Sequence, residues 1–317
     1  MWLTGIDEAG YGPLLGPLVM TAVTFELPDD DPQCDLWSAL NPAVRRPGDS
    51  LAGALVVGDS KRVFSQARGL ASLELPCLAF ARPLLTDAPL RLDSLLSQLG
   101  AKIELIHGDG PWYEDLSAAL PLACDRAELD KRTAILSQAL SHSRIRLHAI
   151  RSAVVPPGHY NRMVAATGNK ADALFELCST MLTEVLALPG RHTVVIDKHG
   201  GRNYYASLLA GSGLTVSSMN EGRSKSSYRL ALQHGGVCNL SFVMEGDQTC
   251  FPVSLASMFS KYLREALMAP FNRYWQTLVP GLKSTAGYAQ DGRRFLQEIE
   301  PARLRAQVDL RHIRRDR

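Results

Sequence analysis

Residues 3–13 run from Leu3 through Ile6 to two adjacent carboxylates, Asp7 and Glu8, and then into Gly10-Tyr11-Gly12-Pro13. An apolar run that stops on two acids and opens into a glycine turn constrains the chain more than any other stretch. Neighbouring residues on a strand point to opposite faces. A strand that ends at Asp7 therefore aims one carboxylate at a site, and Glu8, at the bend, swings round to meet it. The glycines let backbone N–H groups come close to a ligand. Carboxylates beside exposed backbone donors suit a divalent cation next to a phosphate. An acidic hairpin turn is the plainer reading of these residues alone, and the rest of the chain decides between the two.

The chain has 317 residues, enough for one large domain or two and for a sizeable core. Hydrophobic residues make up 46% and charged residues 21%, which excludes a disordered chain. The formal net charge of +2 gives no bulk argument for nucleic acid, so any basic footprint is local. The six cysteines are widely spaced with no C-x-x-C pair. That fits neither a disulfide framework nor a zinc site, and points to reduced thiols in a cytoplasmic protein. Acids at positions 7 and 8 precede any apolar stretch of the signal-peptide kind. The uncharged residues 9–25 are too short a run, and too broken by glycine and proline, to span a membrane. No membrane partner is expected. There is no internal repeat and no low-complexity linker.

Residues 18–25 are β-branched and uncharged, and predict a second strand paired with the first across the Gly-Pro turn. Asp29, Asp30 and Asp31, between Pro28 and Pro32, read as a solvated turn, although three adjacent carboxylates also attract a cation. Asp59 or Ser60 can cap a short helix running on through Ala67. Lys61 and Arg62 in its first turn oppose the helix dipole, which lends some support to a phosphate-facing role, although a simply exposed lysine is the plainer reading. Residues 70–143 mix short apolar runs with Pro and Gly, carry a helix over 129–140, and read as an inserted, mostly helical subdomain or lid. Residues 144–155 alternate charged and apolar side chains as a half-buried strand does. Residues 169–188 put Leu174, Leu177, Cys178, Met181, Leu182 and Val185 on one stripe of a helix.

Residues 193–197 are apolar up to Asp197, as in a central strand buried on both faces. Open α/β sheets bind ligands at the carboxyl ends of such strands, so Asp197 reads either as a ligand or as a plain strand end. Residues 240–244 predict a further strand ending in Glu245-Gly246-Asp247, and 253–265 a helix with Ser257 near its start and Lys261 one turn on. Three apolar strands thus end in acids: Asp7 with Glu8, Asp197, and Glu245 or Asp247. The shared grammar brings them to one edge of one sheet. Like charges so gathered repel and raise one another's pKa unless a cation neutralises them. Hard divalent cations take oxygen ligands, and a pair of them clamps the attacking and leaving oxygens of phosphoryl transfer.

Taken in order, residues 5–14, Asp59-Ser60-Lys61, Ile196-Asp197, Gly246-Asp247, Phe251-Pro252-Val253 and Ala256-Ser257-Met258 resemble the type 2 ribonuclease H family. The resemblance spans residues 3–65 and 145–300, and the step from Asp247 to Ser257 is close to the family's archaeal and eukaryotic forms. It implies an α/β, ribonuclease H-like fold: a central mixed β-sheet flanked by helices, with a helical C-terminal region and an inserted subdomain. The catalytic domain would comprise 1–69 and 144–267, the insertion 70–143, and the C-terminal helical region 268–317. The implied activity is metal-dependent hydrolysis of the RNA strand of RNA–DNA hybrids, or cutting at ribonucleotides embedded in DNA, leaving 3′-hydroxyl and 5′-phosphate ends. Asp7, Glu8, Asp197 and Asp247 would be catalytic and would bind two Mg2+ or Mn2+ ions. Gly10, Tyr11 and Gly12 would read the ribose 2′-hydroxyl, with Lys61, Ser257 and Lys261 on the substrate and Tyr288 stacked on the neighbouring sugar.

Three features depart from the family's pattern. Tyr11 stands where an arginine is usual between the two glycines, and loses a guanidinium that could hold phosphate. The 70–143 insertion has no familiar counterpart. Lys198-His199 after the third acid is unusual, and His199 reads either as a proton carrier or as a loop hydrogen-bonder. The tail from residue 303 carries six Arg against two Asp, and reads either as a basic strip along a duplex or as a frayed helix. A related nuclease with another structured nucleic-acid substrate, or a non-catalytic nucleic-acid binder on the same scaffold, are the rival readings.

Overall fold

The structure is a computed structural model describing residues 1–28, 34–65, 67–86, 90–233 and 235–316. The three aspartates at 29–31 lie outside the described residues. Seven strands form one mixed sheet: Trp2–Ala9 (β1), Leu18–Glu26 (β2), Arg146–Val155 (β5), Arg191–Asp197 (β6), Thr215–Asn220 (β7), Lys225–Ala231 (β8) and Val237–Val243 (β9), in the order β5-β2-β1-β6-β9-β8-β7. The pair Val44–Arg45 (β3) and Leu55–Val56 (β4) stands apart from it.

β1, β6 and β9 are parallel neighbours, Ile6 opposite Ile196 and Asp197 opposite Val243. Their carboxyl ends therefore leave the sheet on one edge. β2 returns antiparallel to β1, with Asp7 opposite Thr21. The first strand does not stop at Asp7. It runs on through Glu8 to Ala9, so strand alternation, rather than a bend, separates the two carboxylates onto opposite faces of the sheet.

Helices cover both faces. On one lie Pro157–Thr167 (α7), Lys170–Leu186 (α8) and Ala206–Gly211 (α9), sharing a core with Ile6, Ile196, Leu240 and Phe242. Asn169 starts α8 by accepting from the N–H groups of Ala171 and Asp172 at 3.0 and 2.9 Å. On the other face, Gly246–Thr249 (α10) leads into Phe251–Leu278 (α11), which lies across β1 and β2. Gly5 permits this approach. A Cβ there would stand 2.1 Å from Val253 N and 2.2 Å from Pro252 C.

The same core takes in the 70–143 region. It holds Ala71–Ala81 (α3), Leu92–Gln98 (α4), Ile103–His107 (α5) and Arg126–Ser143 (α6). Phe80 packs edge-on against Phe25 and Phe251, and Trp112 packs edge-on against Phe271 and at a tilt against Trp275. Glu74 ties the region down from a fully buried position. It accepts from the N–H groups of Leu122, Ala123 and Cys124 at 2.6, 2.6 and 2.8 Å and from the Tyr262 hydroxyl at 3.0 Å. Residues 70–143 are therefore packed into the body of the protein against α11, not laid over it as a lid. The boundary drawn at 267–268 falls inside α11, one continuous helix.

The tail is neither frayed nor free. After Ala289–Arg305 (α12) the chain folds back, Arg303 pairs with Glu300 and Arg311 with Asp309, and Ile313 and Arg315 are buried.

Candidate active site

Asp7 is buried on the α11 side of β1, its Oδ1 accepting from Glu8 N–H at 2.7 Å. Ser260 in α11 donates to the Asp7 carbonyl at 3.0 Å and lies 2.9 Å from Thr21 Oγ1, which continues to Ser152 at 3.0 Å. This run of hydroxyls fixes the strand beneath the carboxylate. Asp197 leaves the end of β6 and accepts from Gly246 N–H at 2.8 Å. Asp247 follows in α10 and is buried, its carbonyl held by Ser254 Oγ at 2.6 Å. Glu8 reaches the same edge from the opposite face, and its Oε2 is buried with no hydrogen-bond partner.

These four carboxylates act on one another. Burial first, then Glu8 and Asp197, push the Asp7 carboxyl well above the ordinary carboxylate range. Burial and then Asp197 push Glu8 up to about 8, against the pull of its own backbone N–H and of Lys61. Burial, then Asp59 and Asp197, push Asp247 up to about 7. Asp197 is raised by burial too, although Gly246 N–H and Lys61 work against it. Lys61 is exposed, and what burial it has works against its charge, yet Asp247, Asp59, Asp7 and Asp197 hold its pKa above the usual lysine range.

Asp59 is a fifth carboxylate, read from the sequence as a helix cap and as part of the Asp59-Ser60-Lys61 motif but given no place among the converging acids. It does cap Ser60–Val63 (α2), accepting from Lys61 N–H at 2.8 Å. It also stands close enough to Asp247 to raise that carboxyl's pKa. Its signal was legible: β4 followed by Gly58-Asp59 repeats the apolar-strand-then-acid grammar of the other three. α2 is shorter than the expected run to Ala67, because Phe64 is already extended.

The remaining predicted residues divide. Ser257 is buried, its hydroxyl 3.1 Å from Ser60 Oγ and bonded to Asp7. Lys261 is committed to Glu265 at 2.6 Å and lies 5.1 Å from the Phe64 ring centre. Gly10 has φ +96°, and a Cβ there would stand 2.6 Å from Pro17 O, whereas Gly12 is exposed with open space around it. Tyr11 is half-buried under the Lys170 ammonium, 4.9 Å from its ring centre. Burial, Tyr160 and Glu8 raise its hydroxyl pKa. Sequence reasoning missed Lys170, the first residue of α8, whose cation lies over the Tyr11 ring. Tyr288 is exposed and precedes α12, while Gly287 O accepts from Leu14 N–H at 2.7 Å, so Gly287-Tyr288 abuts the glycine loop.

His199 is neither a proton carrier nor a loop hydrogen-bonder. It is 2% exposed, both ring nitrogens lack partners, and the ring packs among Phe175, Tyr205 and Phe242. Burial, and then Arg202, push its pKa down to about 3, which leaves a neutral core side chain.

Among the described residues, no group of three or more His, Cys, Asp or Glu side chains is already set as ligands around an ion. The donor set nevertheless fits one. Four mutually repelling carboxylates and an orphaned buried carboxylate oxygen are what a hard divalent cation relieves. Among the described residues no helix is long and apolar enough to cross a membrane.

Fold and site together define an α/β protein whose carboxylates gather at the carboxyl edge of three parallel central strands. The chain resembles solved structures of ribonucleases HII, H2 and H3. The structure titled as the PCNA–ribonuclease HII complex of Archaeoglobus fulgidus is 14% identical, with 99% of this chain and 94% of that chain covered and a TM-score of 0.42. Ribonuclease H2 of Pyrococcus horikoshii is 13% identical, with 99% and 92% covered and a TM-score of 0.42. Ribonuclease H3 of Aquifex aeolicus is 14% identical, with 93% and 67% covered and a TM-score of 0.39. No family model and no curated protein matches the chain. The functional reading therefore rests on the chain's own residues.

Proposed function

We propose that this chain is a metal-dependent endonuclease that hydrolyses the RNA strand of RNA–DNA hybrids and cuts duplex DNA at embedded ribonucleotides. The observation that carries the reading is the convergence of Asp7, Glu8, Asp197 and Asp247 from three parallel strand ends, with Lys61 as the cation facing them. Carboxylates crowded beside a phosphodiester would repel it. Their gathering makes chemical sense when divalent cations stand between.

Asp7, Glu8, Asp197 and Asp247 would hold Mg2+ or Mn2+. When bound, such ions activate water and stabilise charge on the leaving oxygen. The chain's own groups do the rest. Ser260, Gly246 N–H and Ser254 hold the Asp7, Asp197 and Asp247 segments in place. Asp59 adds its negative charge beside Asp247 and helps to keep that carboxyl's pKa raised. Lys61 offers its ammonium to a backbone phosphate. The open backbone at Gly12 and the Tyr11 hydroxyl meet the sugar, where the 2′-hydroxyl separates RNA from DNA. Tyr288 offers an exposed ring to the next sugar. Phosphate contact supplies affinity that falls with salt.

The test is a panel of labelled duplexes with Mg2+ or Mn2+: an RNA–DNA hybrid, DNA with one ribonucleotide, plain DNA and plain RNA. Asp7→Asn and Asp247→Asn proteins run alongside. The expected result is metal-dependent cutting of the first two only, lost in both variants. Equal cutting of plain DNA refutes the substrate assignment, and cutting that survives both substitutions refutes the site.

A further inference from the structure

Residues 10–17 join β1 to β2 and carry the glycines that face the proposed substrate. Their back is held by two arginines from distant parts of the chain. Arg264 in α11 donates to Pro17 O, to Leu15 O at 3.0 Å and to Ala286 O at 2.9 Å. Arg315 donates from its side chain to Pro13 O and from its backbone to Leu14 O at 2.9 Å, and Arg314 bridges to Leu15. Four carbonyls of one short loop are thus tied from behind.

Both guanidinium groups are buried, Arg264 at 1% exposure and Arg315 at 3%. Among the described residues neither has a carboxylate partner; their hydrogen bonds go to carbonyls, and Arg315 also lies against the Tyr160 ring at 4.9 Å. Burying two like charges on carbonyls alone is a costly way to close a core. It is an effective way to set a loop: Arg264 spreads its rigid planar donor fork over carbonyls of two segments, while Arg315 reaches Pro13 O through Nη2 alone, its Nε and Nη1 buried without a hydrogen-bond partner.

The end of the chain is anchored for this purpose. Asn161 in α7 donates to the carbonyls of Arg311 and Arg314 at 3.0 and 2.9 Å and accepts from Asp316 N–H at 2.8 Å. His312 Nδ1 lies 3.0 Å from Asp109, a buried carboxylate that also accepts from Gly158 N–H at 3.0 Å. The strap therefore crosses from the 70–143 region, over α7, to the glycine loop.

We propose that residues 309–316 are a strap that positions Gly10, Tyr11 and Gly12 against the carboxylate edge, with Arg315 and Arg264 as positioning residues for substrate choice and turnover. Its consequence for turnover rests on the nuclease reading above; the loop placement itself does not.

The experiment compares the full chain with Arg315→Met, Arg315→Lys and Asn161→Ala, and with Lys131→Met, exposed on α6, as a surface control. Hydrogen exchange is followed at residues 10–17 and in β6 and β9, beside cutting of DNA carrying one ribonucleotide. Arg315→Met should speed exchange at 10–17 about tenfold with β6 and β9 unchanged, and lower kcat about tenfold or more with KM within about twofold, as misplacement of a positioning element does. Lysine, which can still donate to Pro13 O, should restore most of both. Asn161→Ala should loosen the same residues while keeping both arginines, and Lys131→Met should change nothing. Unchanged exchange at 10–17 in both Arg315→Met and Asn161→Ala overturns the proposal. So does an increase spread evenly over β6 and β9, which marks general loosening. If the unmodified protein cuts none of the duplexes, the nuclease reading fails, and the exchange comparison still decides the strap.

Discussion

Gly5→Ala is the substitution that most directly tests how the site is assembled. The added methyl carbon would lie 2.1 Å from Val253 N, 2.2 Å from Pro252 C and 2.7 Å from Pro252 O. All three are backbone atoms, so no rotamer change relieves the clash. The first turn of α11 must retreat from β1 by more than about 1 Å to recover ordinary van der Waals contact, and overpacking of this kind costs about 1–3 kcal/mol. With an unfolding entropy of about 2.1 cal/mol/K per residue, a chain of this size loses about 1.5 °C of Tm per kcal/mol. A drop of roughly 1.5–5 °C follows. The same retreat carries Asp247, Ser254 and Ser257 away from Asp7 and Asp197, and a misplacement near 1 Å can cost about a hundredfold in rate. Calorimetric unfolding and cutting of the ribonucleotide duplex measure the two effects together. Gly12→Ala serves as the stability control, since nothing lies within 4 Å of a Cβ there. A Gly5→Ala protein that melts with the unmodified one would refute the close approach of α11 to β1 as the element that sets the site.

Further outcomes follow from the same contacts. Glu8 and Asp247 titrate near 8 and 7 in the folded chain, above their unfolded values. Without metal, their contribution to stability is therefore full in acid and lost as pH rises from about 4 to about 8; a metal-free Tm that rises across that window contradicts the carboxylate cluster. Protons and Mg2+ compete for the same oxygens, so the Tm gain on adding Mg2+ should grow from pH 5 to pH 8, and a pH-independent gain places the ion elsewhere. Glu74→Ala strips the acceptor from three backbone N–H groups and from Tyr262, at a cost of about 3 kcal/mol read by urea unfolding; a loss under about 1 kcal/mol speaks against its anchoring role. Lys61→Met should weaken duplex binding and reduce the slope of log affinity against log salt by about one, whereas an unchanged slope removes Lys61 from the phosphate contacts.

Much of the architecture was legible because its signals are local. Apolar runs of strand length with no interior charge mark β1, β2, β6 and β9, and the stripe from Leu174 to Val185 marks α8. The acids that close three of those strands could be singled out before their meeting was seen, since parallel neighbours must end on one edge. Asp59 was legible as a helix cap and as the first residue of the Asp59-Ser60-Lys61 motif, but not as a neighbour of Asp247, because its short strand β4 lies outside the main sheet. His199 misled because nothing in a single sequence separates a histidine beside a site from one turned into an aromatic core.

What the sequence alone determined is the set of groups available for chemistry, Asp7, Glu8, Asp197, Asp247 and Lys61, and the strands that carry the first three of them. What only the tertiary structure decided is how the chain's distant parts are used. Residues 70–143 became core because Glu74 could gather three N–H groups some fifty positions away. The basic tail became a strap because Arg315 found the carbonyls of a loop 302 positions upstream. Both outcomes depend on long-range hydrogen bonds between groups that every chain possesses, and residue patterns do not record which backbone group will meet which side chain.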